Sequence, residues 1–173
     1  MSETPGTSGQ PVDQRSRHSV PQPATMTKDQ AVPGAAATPV TGLRRGAFLG
    51  YRWALLAFLL AGVAQIFLAG LGVFRLQGEG LAAGGDTAFA PHRALGFTMA
   101  GIALLILVLA AIARPGARQI ILSAVLVLLT SLMQSLLAGL ADSHAIYGGL
   151  HALDGLLILG IAGYLYVRSR RET

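Results

Sequence analysis

The chain has 173 residues, of which 53% are hydrophobic and only 12% charged, with a net charge of +5 and a mean hydropathy of +0.57. That balance excludes an ordinary soluble domain and places the chain in the membrane class. Cysteine is absent, which excludes disulfides, thiolate ligands, thiol-attached haem and iron–sulfur clusters. The positive charge does not point to nucleic acid, because most arginines sit beside the ends of apolar runs, where membrane orientation accounts for them.

Residues 1–43 contain six of the eight prolines among Gly, Ser, Thr, Ala and Gln, and show no apolar periodicity. They are expected to form a disordered cytoplasmic tail. No compact apolar core of a cleaved signal occurs there, so the first export signal is the first membrane helix. The rest, 44–173, reads as one all-α integral membrane bundle of four spans, at about 54–74, 94–113, 120–140 and 149–167.

The first span follows Arg44, Arg45 and Arg52, with Tyr51 and Trp53 at the depth of an interfacial aromatic belt, and carries one strongly polar residue, Gln65. The loop 75–91 is rich in glycine and reads as flexible. Asp86 or Thr87 is placed to cap the next helix, and Pro91 suits a first turn, where its missing N–H is not needed. His92 and Arg93 stand at the mouth of the second span, which ends in the turn signal Arg114, Pro115, Gly116. The third span includes Gln134 among Ser123, Thr130, Ser131 and Ser135. A short loop with His144 leads to His151 and the fourth span, and Arg168, Arg170 and Arg171 follow it.

Eight arginines flank the ends that the N-terminus, the loop 114–119 and the C-terminus share, whereas the other two loops hold only Arg75 and Arg93. The positive-inside rule then puts both termini in the cytoplasm of a plasma membrane protein and the histidines at the outer face.

The chain carries an internal repeat. Gln65 to Leu71 and Gln134 to Leu140 match at five of seven positions, and His, Gly, Gly, Ile and Ala recur at equal offsets from His92 and from His151. Both hairpins start from the cytoplasmic side, so the repeat is parallel and its pseudo-twofold axis follows the membrane normal. Such an axis sets His92 and His151 at one depth on opposite sides, as axial ligation of one b-type haem requires. Gly96 and Gly155, one turn on, would thin the face where a flat macrocycle must fit. Gly101 and Gly160 lie on the opposite face and suit close helix approach. A helix N-terminus disfavours imidazolium and keeps the neutral ring a metal needs. Arg93 is placed to receive propionates. Gln65 and Gln134 are candidates to bond each other, a ligand edge or a water, with interhelical bonding the plainer reading. Asp154, an acid one turn beyond His151, is either a protonated structural acid or a group that tunes the iron, takes a proton or orients His151.

These residues also carry a resemblance. His92-Arg93-Ala94-Leu95-Gly96 before an apolar helix, Gln134 with 137–140, and Leu150-His151 before a helix ending near Tyr166 resemble one four-helix half of haem A synthase. They also resemble a group of small uncharacterised four-helix membrane proteins of high-GC bacteria. The resemblance implies that His92 and His151 are haem ligands. The chain has one such half, without a glutamate just before His92, so it points to haem binding rather than to synthase activity.

Two functional classes follow. The first is a haem-binding bundle for electron transfer or haem handling, exchanging electrons with a quinone or a membrane redox complex, because one haem at one face does not span a hydrocarbon core of ~30 Å. The second is a cofactor-free accessory or assembly subunit of a membrane complex. A transporter fits less well, since two spans per repeat leave little room for a gated path. Paired carboxylates, a Ser/His/Asp set, a phosphate loop and zinc spacings are all missing, so no catalytic residue is assigned.

Overall fold

The computed structural model describes residues 39–79 and 85–171; the expected disordered tail falls mainly on residues outside them, as do residues 80–84. Among the described residues all regular structure is helical: α1 (Pro39–Glu79), α2 (Gly85–Ala88), α3 (Ala90–Ala113), α4 (Ala117–Val127), a π-helical segment (Leu128–Met133), α5 (Gln134–Ala141) and α6 (Ala145–Arg170). Four stretches are long and apolar enough to cross a membrane, namely Thr41–Gly78, Ala90–Ala113, Ala117–Ala141 and Ala145–Arg170. The protein is an integral membrane four-helix bundle built of two helical hairpins.

Several boundaries differ from expectation. The first helix begins at Pro39 and runs through Arg75 to Glu79, so part of the expected tail and of the expected flexible loop is helical. Its 41 residues reach roughly 60 Å at 1.5 Å per residue, about twice a hydrocarbon core. Neither Asp86 nor Thr87 caps the second span. Both lie in the short α2, and α3 starts after Phe89 with no side-chain cap and with Pro91 in its first turn. The fourth helix starts at Ala145, after His144. His92 is thus the third residue of α3 but His151 the seventh of α6, and the helix-terminus argument for a neutral imidazole applies only to His92.

α1 runs antiparallel to α3. Gly50 lies against Leu109, Gly96 near Gln65, and Gly72 under Phe89. The turn between α3 and α4 places Arg114 in the left-handed region at φ 52°, its N–H on the Ala110 carbonyl, and Gly116 follows at φ 147°. A Cβ on Gly116 would approach the Gln119 side chain to 2.7 Å, so the glycine is required for both conformation and space.

Large apolar side chains cover the outside of the bundle, among them Leu60, Phe67, Phe74, Phe97 and Leu132. In water such a surface would drive aggregation; in a bilayer it is the lipid-facing surface. The buried core joins Tyr51, Leu55 and Phe58 to Met99, Ile106, Leu126, Ile158 and Leu165. Ala103, Ala110 and Ala162 are fully buried with it, where small residues let backbones approach. Gly101 and Gly160 do not serve that purpose. Both are exposed, and a Cβ on either would meet nothing within 4 Å.

Candidate functional site

Met99 and Ile158 each stand seven residues beyond a histidine and close the core below it, roughly 10 Å along the helix axis. Above that floor the imidazoles of His92 and His151 face each other, with ring centroids 6.1 Å apart and planes at 55°. Both side chains are half-buried. Phe89 sets its ring edge against His92, with centroids 6.2 Å apart.

Each ring is fixed by the same device. His92 Nδ1 lies 3.2 Å from the Gln65 main-chain carbonyl, and Gln65 Nε2 donates to the His92 carbonyl at 2.8 Å. On the other hairpin, His151 Nδ1 lies 3.1 Å from the Gln134 carbonyl, and Gln134 Nε2 donates to the His151 carbonyl at 2.9 Å. A carbonyl only accepts, so Nδ1 carries a proton in both rings, and the tautomer that leaves the lone pair on Nε2 is the one these bonds favour for a neutral ring. An Nδ1–H donated to a backbone carbonyl, with Nε2 left over, is the usual state of a metal-binding histidine.

Helix geometry explains why these residue types are needed. A helical carbonyl points toward the residue four positions on, whose side chain hems it in. Four residues after His92 and His151 stand Gly96 and Gly155, and four after Gln65 and Gln134 stand Ala69 and Ala138. A Cβ on Gly96 would come within 3.3 Å of Gln65 Nε2, and one on Gly155 within 3.8 Å of Gln134 Nε2. The space at the two glycines is therefore taken up by glutamine amides. Nor do the glutamines bond each other; each bonds the histidine of its own hairpin.

The two hairpins differ in one respect. Asp154 is buried and accepts a second bond from Gln134 Nε2, to Oδ2 at 2.9 Å. Leu95 holds the corresponding place in the first hairpin. There, Gln65 Oε1 is buried without a hydrogen-bond partner. Arg93 is exposed at the rim, next to His92 in sequence. His144 is exposed, with its ring tilted against that of Tyr147.

Burial recurs with the same spacing as the site. Met99, Ala103, Ile106 and Ala110 are buried, and so are Ile158, Ala162, Leu165 and Ser169, each 59 residues later, the interval that separates His92 from His151. Between α1 and the third span the interval is 68 residues, taking Tyr51, Leu55, Phe58 and Gly62 to Gln119, Ser123, Leu126 and Thr130. Gln65 and Gln134, however, are 69 apart. The π-helical segment Leu128–Met133 falls between Leu126 and Gln134, where its wider turn absorbs the additional residue and returns Gln134 to the inner face.

The donor set narrows the metal chemistry. Among the described residues no group of three or more His, Cys, Asp or Glu side chains is placed to hold a metal ion, so a site built from protein ligands alone has no support. Two imidazoles suit a metal whose remaining positions are already filled, as in haem. The ring-centroid separation of 6.1 Å is also one that two aromatic rings in direct contact adopt.

Residues 65–141 match a family described as of unknown function, DUF6220. The match takes in Gln65, His92 and Gln134 and stops short of His151. No curated protein and no solved structure matches the chain.

Proposed function

We propose that the chain, read as a duplicated helical hairpin, holds one b-type haem between His92 and His151 and serves electron transfer or haem handling in the plasma membrane. The observation that carries this reading is the centroid separation of 6.1 Å between two rings whose Nδ1 atoms are both engaged by main-chain carbonyls. Haem bound there would supply one-electron chemistry. The protein's part is to hold both imidazoles in one tautomer, to fix their depth through Gln65 and Gln134, and to shield them beneath with Met99 and Ile158. Arg93 offers a cation at the rim for propionates. Asp154 adds a buried carboxyl on the His151 side alone, where it bears on charge and proton balance.

Arg44, Arg45, Arg52, Arg114, Arg118, Arg168, Arg170 and Arg171 belong to the end opposite the imidazoles. That end is cytoplasmic by the positive-inside rule, with both termini, and the histidine pair faces outward. A quinone or an external redox partner would meet the site from that side.

A second reading rests on the same hydrogen bonds. Each Gln–His pair is closed on itself and ties two helices together, which suits a cofactor-free accessory subunit of a membrane complex equally well. Visible spectra of the full chain, expressed with ample haem and purified in mild detergent, separate the two. The haem reading expects a sharp reduced band that both His92→Ala and His151→Ala abolish. A colourless, folded wild-type protein would leave the accessory reading.

A further inference from the structure

At the end opposite the imidazoles, α1 and α6 part around a cavity of about 260 Å³ lined by Leu49, Arg52, Trp53, Leu56, Tyr166 and Arg170. Arg52 stands about 20 Å down α1 from Gln65 at 1.5 Å per residue, so the cavity is separate from the histidine pair. Its size falls below the ~300 Å³ at which sites for whole small-molecule ligands begin, which suits the head group of an amphiphile. Four of the six lining residues are leucine or aromatic, a wall that favours a flat apolar ring. Arg52 is half-buried in that wall, and the five N–H donors of a guanidinium can serve a neutral acceptor whatever else the group binds.

The wall continues into the bilayer. Leu49 and Trp53 are exposed, and so are Leu60, Val63 and Phe67, which follow Leu56 on one face of α1 at spacings of three and four residues. From Leu56 to Phe67 this stripe runs roughly 16 Å, about one leaflet. We propose that the cavity binds the ring of a membrane quinone against Trp53 and Tyr166, one quinone carbonyl accepting from Arg52 and the isoprenoid tail lying along Leu60, Val63 and Phe67. The ligand is neutral, so the seat does not depend on an unmatched charge. A phospholipid shares the tail stripe but sets no flat ring against Trp53. Binding here does not depend on haem, and the site is not the one from which the imidazoles would exchange electrons.

Trp53 is the only tryptophan of the chain, and a quinone ring in contact with an indole quenches its emission. The test is a fluorescence titration of the full chain, purified in mild detergent without added haem, with a short-tailed ubiquinone. Saturable quenching is expected for wild type, against only linear quenching in W53F/L132W, which moves the indole to an exposed position outside the cavity. R52Q is expected to weaken binding by about tenfold, the worth of one hydrogen bond from a charged donor. Should R52Q not fold, L56F, which narrows the cavity and leaves its charge alone, is expected to weaken binding in the same direction. Linear quenching at Trp53, unchanged affinity in the variant that folds, or displacement of the quinone by an equal concentration of phosphatidylglycerol or phosphatidylcholine would each overturn the proposal. A colourless protein that binds the quinone upholds it and counts only against the haem reading.

Discussion

Gln65 and His92 exchange two hydrogen bonds that both end on main-chain carbonyls, one from the amide and one with the ring Nδ1. The link therefore ties each side chain to the other residue's backbone: turning either side chain breaks one bond, and rotating either helix about its axis strains both. Gln134 and His151 repeat it on the other hairpin, so each ring of the pair is also tied to its own hairpin. In a bilayer such interhelical bonds contribute about 0.6–2 kcal/mol each.

The glycines beside these links are not equivalent. At Gly96 an added methyl would crowd the Gln65 amide at 3.3 Å, while at Gly155 the 3.8 Å to Gln134 is ordinary contact. Gly96→Ala is expected to weaken its hydrogen bond and lower stability by about 1 kcal/mol. Gly155→Ala is expected to be neutral or to stabilise by about 0.5 kcal/mol, through the helix propensity of alanine. Thermal unfolding of both variants in one detergent checks the opposite signs.

Removal of the two glutamines should also differ. Gln65→Leu deletes one donor but also removes the buried Oε1 that has no partner, so a loss of at most about 1 kcal/mol is expected. Gln134→Leu strips the donor from both the His151 carbonyl and the Asp154 carboxyl, and about 2–3 kcal/mol is expected for a buried acid left without it. Adding Asp154→Leu, which restores the residue type of Leu95, should recover much of that loss. If the two glutamine variants unfold alike, Asp154 does not depend on Gln134.

Phe89 links the α1 surface to the His92 ring. A Cβ on Gly72 would stand 2.6 Å from two Phe89 ring carbons, and an aromatic ring yields less readily than a flexible chain end. Gly72→Ala is expected to displace Phe89, to cost about 1–3 kcal/mol as overpacking, and to shift the NMR signals of the His92 ring while sparing those of His151.

Four spans, the polar residues within them and the matching positions of histidine and glutamine were legible from hydropathy and spacing, because the bilayer dictates the first and equal offsets expose the others. Helix ends were not. Arg75 to Glu79 is polar enough to read as loop, yet it continues α1, since outside the hydrocarbon core a helix no longer needs apolar side chains. The roles of Gly96 and Gly155 were missed for a different reason. The sequence does hold a signal, a small residue four positions after each Gln and each His, but its meaning depends on which carbonyl a facing helix approaches. The extra residue before Gln134 was hidden as well, because counting from Gln65 aligns the segments after it and says nothing of those before.

That extra residue yields the sharpest prediction. α1 reaches Gln65 as a regular α-helix, while the third span needs the π-helical segment to bring Gln134 to its histidine. Deleting Leu132, an exposed residue of that segment, would leave 68 residues throughout and let the span continue as α-helix with Gln134 still facing α6. Deleting the similarly exposed Val63 from α1 has no widened turn to close. It would rotate Gln65 by about 100° relative to Tyr51 and Phe58 and break its link to His92. The leucine deletion is therefore expected to fold with stability within about 1 kcal/mol of wild type, because a π turn is normally less favourable than the α turn that replaces it. The valine deletion is expected to lose several kcal/mol or to fail to fold, as core residues on one side of the cut must turn toward lipid. Detergent unfolding curves of the pair decide the matter: equal damage from both deletions would mean that the π-helical segment is needed for itself rather than as the means of fitting one more residue.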